Sequence, residues 1–145
     1  MFDNLSGVAI EVEWRDEDVL ALAITASNKR LAFKTRFYAD CDAPKRFASV
    51  LSGFPTDTAD IREFKFGGLE LTGYGGAKFR FTCHDKLGHV VLSLSIAEKS
   101  DVFYGQFESI TMLMLIEPSA IDSFVRQLIG LHSDIGQLAK LEMSI

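Results

Sequence analysis

Cysteine is scarce in this chain of 145 residues, with Cys41 and Cys83 as the whole supply. Secreted domains that depend on disulfides are usually shorter and far richer in cysteine. Two buried free thiols are therefore the expected state, with a Cys41–Cys83 bridge as the alternative. Long apolar runs are missing as well. Runs such as Met112 to Ile116 fall far short of the roughly 20 residues that span a bilayer as a helix, so no membrane partner is expected. The start, Met1-Phe2-Asp3-Asn4, has neither the basic nor the apolar segment of a signal peptide. A cytoplasmic location is the resulting expectation. Positive charge is not in excess either. The 15 Lys and Arg stand against 20 Asp and Glu, for a formal net charge of -5. That balance argues against a nucleic-acid partner, because phosphate backbones recruit basic surfaces. Internal repeats, low-complexity segments and interdomain linkers are also absent from the sequence.

What is present is the material of a globular core. Apolar residues make up 48% of the chain and charged residues 24%, with twelve phenylalanines. This length suits one domain spanning residues 1–145, and such a domain buries roughly 70% of the surface its unfolded chain exposes. Most of the phenylalanines belong inside, since each removes a large apolar area from water.

Alternation with a period of two predicts most of the elements. Val8, Ile10, Val12 and Trp14 alternate with Ala9, Glu11 and Glu13. A charged turn, Arg15 to Asp18, leads to a second strand over Val19–Ala26, which is apolar on both faces and so central in its sheet. After Ser27-Asn28-Lys29 a third strand carries Leu31, Phe33, Thr35 and Phe37 on one face. Asp42 and Pro44 open a helix, with Asp42 placed to cap it. Phe47, Val50, Leu51 and Phe54 form its apolar stripe, and Gly53 and Pro55 end it. Strands follow at Ile61–Leu71, Phe79–Cys83, Val90–Ile96 and Ser109–Ile116. A glycine-rich connection at Gly73–Gly76 and an irregular loop at Ser100–Phe107 separate them. A second helix begins at Glu117-Pro118-Ser119 and buries Ile121, Phe124, Val125, Leu128 and Ile129. The tail keeps Ile135, Leu138 and Leu141 at helical spacing, which predicts a final short helix. The expected class is α+β: a mainly antiparallel sheet of six to seven strands in the order β-β-β-α-β-β-β-β-α, with two helices packed on it.

No catalytic constellation emerges from these residues, and no cofactor or metal is expected. His84 and His89 flank a hairpin turn with Asp85 beside them, which resembles part of a divalent-metal site. A third ligand is not identifiable, so exposed turn residues are the simpler assignment. Cys83 beside His84 looks like a nucleophile and base, but adjacent strand residues point to opposite faces. The glycines around Tyr74 lack the Gly-Lys-Ser/Thr ending of a phosphate loop, though Tyr74 itself is a candidate partner anchor. Lys34, Arg36, Lys78 and Arg80 lie on polar strand faces, as do Glu11 and Glu13, and cross-strand ion pairs on a solvated sheet are the favoured reading. The acidic turn Asp16-Glu17-Asp18 and the loop Asp57–Asp60 could offer carboxylates to a basic partner. The speculative partner-binding set is thus Asp16, Glu17, Asp18, Lys34, Arg36, Tyr74, Arg80, His84 and His89.

Several stretches carry a family likeness: Ala26-Ser27-Asn28-Lys29-Arg30, Thr35-Arg36-Phe37-Tyr38, Phe47 to Leu51 with Gly53-Phe54-Pro55, and the run from Ile116 through Leu128. Their layout resembles small bacterial proteins of the WapI-type immunity group and related families of unknown function. The matching residues are strand and helix signatures, so no functional residue is carried over. The resemblance implies a bacterial, non-enzymatic cytoplasmic protein, monomeric or homodimeric, that binds and neutralises a cognate protein toxin. The alternative is a small-ligand- or metal-binding domain, enzymatic or not, with a cleft near Tyr74, His84 and His89. A third reading is a subunit that oligomerises through an exposed sheet edge or its C-terminal segment.

Overall fold

The computed structural model describes residues 6–67, 75–131 and 135–144. In chain order its elements are β1 (Gly7–Arg15), β2 (Val19–Ser27), β3 (Ala32–Asp40), α1 (Ala43–Leu51), β4 (Ile61–Gly67), β5 (Gly75–Cys83), β6 (Val90–Lys99), β7 (Phe107–Ile116), α2 (Pro118–Gly130) and β8 (Leu138–Glu142). The α+β class is as the alternation predicts. The described strands number eight, however, and they form two four-stranded antiparallel sheets, β3-β2-β1-β8 and β4-β5-β6-β7.

This order contains a repetition that the residues do not display. Three strands, a helix and a strand occur twice, as β1-β2-β3-α1-β4 and β5-β6-β7-α2-β8. In each half the strand after the helix pairs with the first strand of the other half: β4 lies on β5, and β8 lies on β1. The two halves therefore exchange their final strands, and each sheet is completed by the other half.

β8 corrects the expectation of a final helix. Ile135 and Leu138 are largely exposed, while Ala139 and Leu141 are buried. The tail thus follows a period of two, and its backbone satisfies the outer edge of β1 from Gly7↔Glu142 to Glu11↔Leu138. Helical propensity in five residues is weak against a ladder of hydrogen bonds waiting at a sheet edge. β8 in turn becomes an edge, and Gln127 of α2 covers part of it. The Gln127 Oε1 accepts from the Lys140 N–H at 2.9 Å, and its Nε2 approaches the Lys140 carbonyl at 3.5 Å.

The core draws on both sheets and both helices. Its centre is Phe47, fully buried on α1. The Phe47 ring stacks on Phe64 with centroids 4.7 Å apart and meets Phe79 at 4.8 Å and Phe124 of α2 at 5.5 Å, the last edge-on. Edge-on and stacked pairs are the arrangements that aromatic quadrupoles favour. Smaller departures from expectation accompany this core. Val50 and Val125 are only partly buried and Ile129 is half exposed, because the core accepts narrower helix stripes than predicted. Asp42 does not cap α1 with its side chain. Its carboxylate instead accepts from Arg46 Nη1 at 2.7 Å.

The two sheets meet along a polar seam beside β3. Thr35, fully buried, donates from Oγ1 to the Ala97 carbonyl of β6 at 2.8 Å. The next edge amide, Arg36 N–H, donates to Glu98 Oε1 at 3.0 Å. Gly75 sits at this crossing, and a side-chain carbon there would meet Thr35 Oγ1 and the carbonyls of Ala97 and Arg36.

Candidate functional site

The residues that open a usable surface begin with a β-bulge. β1 pairs Val12 with Leu22 and Trp14 with Ala21, so Glu13 is the extra residue. An inserted residue reverses the alternation beyond it. Trp14 would otherwise continue the buried series of Val8, Ile10 and Val12, as the sequence pattern predicts. The bulge turns it outward instead, and Trp14 is 47% exposed.

Ala21 also faces Tyr38 across β2 and β3. Directly opposed residues share a face, so Trp14, Ala21 and Tyr38 form one row across three strands. The small central residue lies between two aromatic walls, and Tyr38 is 59% exposed. One row further along β2, Ala23 lies between Glu11 and Arg36, and the bulge residue Glu13 reaches Arg36 Nε at 2.9 Å. This pair is exposed on the Arg36 side, and such pairs contribute about 0–1 kcal/mol. Its clearer effect is to hold Arg36 alongside the row.

The row is one side of a groove of about 730 Å³. Glu98, Lys99, Ser100 and Asp101 form its other side. That size matches ligand-binding clefts in general. The loop beyond Asp101 is folded on itself: Ser100 Oγ accepts from the N–H groups of Val102 and Phe103, and Ser100 N–H donates to the Gln106 carbonyl. Its tip carries Val102, Phe103 and Tyr104 into solvent, with Tyr104 97% exposed. Lys99 Nζ lies 6.0 Å from the Tyr104 ring centre.

Some predicted site residues meet here and others do not. Arg36 lines the groove, and the turn Asp16-Glu17-Asp18 follows Trp14 directly. Asp16 folds that turn, accepting from the Asp18 and Val19 N–H groups at 2.8 Å each, and these bonds lower its pKa. Lys34 sits on the same sheet opposite Thr25, farther from the groove. Lys78 and Arg80 are not on that face at all. They belong to the second sheet, where both approach Glu63, at 3.5 and 3.4 Å. The single charged sheet face expected from the sequence is therefore two faces. Tyr74 lies outside the described residues. Trp14 escaped the sequence reading because strict alternation placed it inside; the charged residues after it were the available sign that its strand was ending.

The histidines flank the β5–β6 turn as predicted, with His84 N–H donating to the His89 carbonyl at 2.7 Å. Their rings do not converge on a metal, and among the described residues no group of three potential ligands does so. His89 Nδ1 instead bonds Asp85 Oδ2 at 2.7 Å, and its Nε2 lies 3.5 Å from Glu117 Oε1 at the start of α2. Ser144 Oγ donates to that same Glu117 oxygen at 3.1 Å. The hydrogen bond and charge of Asp85 raise the His89 pKa, Glu117 adds to the rise, and the His89 hydrogen bond lowers the Asp85 pKa. A raised histidine pKa gives stability that is complete below the unfolded value near 6.5 and is lost as pH rises through the folded value. The Asp85 contribution runs the other way, fading as pH falls through its lowered folded value. The His89→Gln variant should therefore be most destabilised, relative to wild type, at pH 5–6 and least at pH 8.5 (a window of about 2–3 pH units). Urea unfolding at the two pH values checks this; an equal gap at both would show that the imidazolium contributes nothing.

The remaining candidates have structural work. Cys41 and Cys83 are both free and only partly buried. Cys83 Sγ lies 3.4 Å from the Asp57 carbonyl, and burial together with Asp60, Asp57 and Asp85 pushes its pKa up. That keeps it a thiol, the opposite of an activated nucleophile. Asp60 is held down to about 2 by Arg62 and by Thr56. Arg62 pairs with both Asp60 oxygens while its Nη1 donates to the carbonyls of Val50 and Ser52, which ties β4 to the end of α1. No helix of the described residues is long and apolar enough to cross a membrane. Compared with known proteins, the chain matches no family model, no curated protein and no solved structure.

Proposed function

We propose that this chain is a non-enzymatic protein-binding module, and that its specific role is the one its sequence resemblance implies, a cytoplasmic immunity protein that neutralises a cognate bacterial toxin. The observation that carries the binding role is the exposed aromatic surface. Trp14 and Tyr38 open into the groove, and Phe103 and Tyr104 project from the loop that walls it. Aromatic side chains left in solvent cost solubility, and they are the residues that anchor protein interfaces when a partner covers them. The groove's polar groups are carboxylates and cations at a rim, which orient a partner more than they assemble a reaction.

Co-expression with the product of the neighbouring gene tests the specific role. A toxic neighbour should be neutralised, and the two chains should co-purify as a stable complex. Absence of both complex and rescue would overturn the toxin assignment.

A further inference from the structure

The groove has a chemistry that selects its occupant. Its two aromatic walls stand on β1 and β3, with Ala21 of β2 as the floor. Strands two places apart are about 9–10 Å from each other, a gap that admits one side chain between the rings. Among the lining residues are three carboxylates, Glu13, Glu98 and Asp101, and two cations, Arg36 and Lys99. Arg36 is engaged by Glu13 at its guanidinium and by Glu98 at its backbone N–H, and Lys99 lies over the Tyr104 ring, so neither cation offers a free positive charge to an anionic ligand. The adjoining turn adds Asp16, Glu17 and Asp18 against Arg15, all four exposed, which keeps the charge around the groove acidic on balance. Aromatic faces are electron-rich and attract cations, most strongly where carboxylates surround them. An anionic group would meet repulsion at the rim, and a purely aliphatic one would gain burial against the rings but leave the neighbouring carboxylates without a counter-charge.

From this juxtaposition we infer that the groove docks a basic segment of a protein partner, with one arginine or lysine side chain seated between Trp14 and Tyr38 over Ala21. The inference rests on the protein-binding role proposed above and names the partner chemistry of that surface. The seated cation completes a layered contact, aromatic on two sides and small below, with Glu98 and Asp101 at the open end. Neighbouring basic residues of the segment face the acidic turn. The exposed loop tip at Phe103 and Tyr104 then folds over apolar parts of the same partner.

The chain's single tryptophan is Trp14, so its fluorescence reports on the slot directly. The probe is a blocked peptide of alternating glycine and arginine, compared with its glycine–glutamate counterpart at physiological salt. The arginine peptide should change Trp14 emission saturably, and the glutamate peptide should not. By calorimetry, Trp14→Ala and Tyr38→Ala should each weaken arginine-peptide binding about ten-fold, while Glu63→Gln on the other sheet should leave it within about two-fold. Circular dichroism establishes that each variant is folded. Unchanged affinity in both aromatic variants, or equal binding of the glutamate peptide, would overturn the slot. The two proposals also fail separately. Toxin rescue that survives both aromatic variants removes the slot and leaves the binding role. Selective peptide binding without any toxin complex removes the toxin assignment and leaves the slot.

Discussion

Phe47→Ala should lower the free energy of unfolding by about 4 kcal/mol, the upper part of the range for emptying a buried phenylalanine site. The ring has no solvent exposure, and its aromatic neighbours come from three other elements. Phe64 and Phe66 belong to β4, Phe79 and Phe81 to β5, and Phe124 to α2, with ring centroids 4.7 to 6.3 Å from Phe47. A void bounded by backbone-anchored rings on several sides cannot collapse without moving whole elements, so both the transfer and cavity costs persist. Against a total of about 5–15 kcal/mol for a domain, that loss leaves a marginal fold. Urea unfolding should show a lower midpoint with an unchanged slope. Val102→Ala, at 80% exposure, should stay within about 0.5 kcal/mol of wild type. A Phe47→Ala loss below about 1.5 kcal/mol would mean that this cluster is not the centre of the core.

Gly75→Ala should cost about 3 kcal/mol, combining overpacking with a lost buried hydrogen bond. One added carbon would lie 2.9 Å from the Ala97 carbonyl oxygen and 3.1 Å from that of Arg36, and would overlap Thr35 Oγ1. Two of these three obstacles are backbone, so no side-chain rotation relieves them. The third is the hydroxyl that joins the sheets through Ala97. Relief therefore requires β3 to withdraw from β6, which also lengthens the Arg36–Glu98 bond. Because Arg36 and Glu98 both line the groove, peptide binding should weaken along with stability. Gly130 supplies the contrast. A carbon added there meets nothing within 4 Å, and the residue closes α2. Gly130→Ala should stabilise the fold by about 0.5–1 kcal/mol, the usual gain of alanine over glycine in a helix. Matched unfolding curves test both substitutions, and a neutral Gly75→Ala would refute the close crossing.

Alternation and the second helical stripe were enough to place β1, β2, β3, β7 and α2 within a residue or two of their ends, because those patterns are local, whereas β6 runs three residues past its expected end and α1 stops three residues before Phe54. The central position of β2 was legible for the same reason: a strand apolar on both faces needs neighbours and cover on both. The hairpin at His84 and His89 was legible too, down to the pairing of the two residues. The roles of these histidines were not, since Glu117 lies 28 residues beyond His89 in the chain and only the packing of α2 brings it near.

The sequence by itself determined the α+β class, the identity of most strands and the residues that would be buried, through periods of two and of 3.6 set by backbone geometry. Tertiary structure decided everything that depends on which edges meet. It made the tail a strand, because the edge of β1 offered five residues of backbone pairing that a short helix could not match. It divided one expected sheet into two and exchanged the last strand of each half. It also decided the site. A single extra residue at Glu13 reversed the alternation that placed Trp14 in the core, and register then set Trp14 and Tyr38 on either side of Ala21. Pairing register is a relation between strands, so no pattern within one strand could have disclosed that slot.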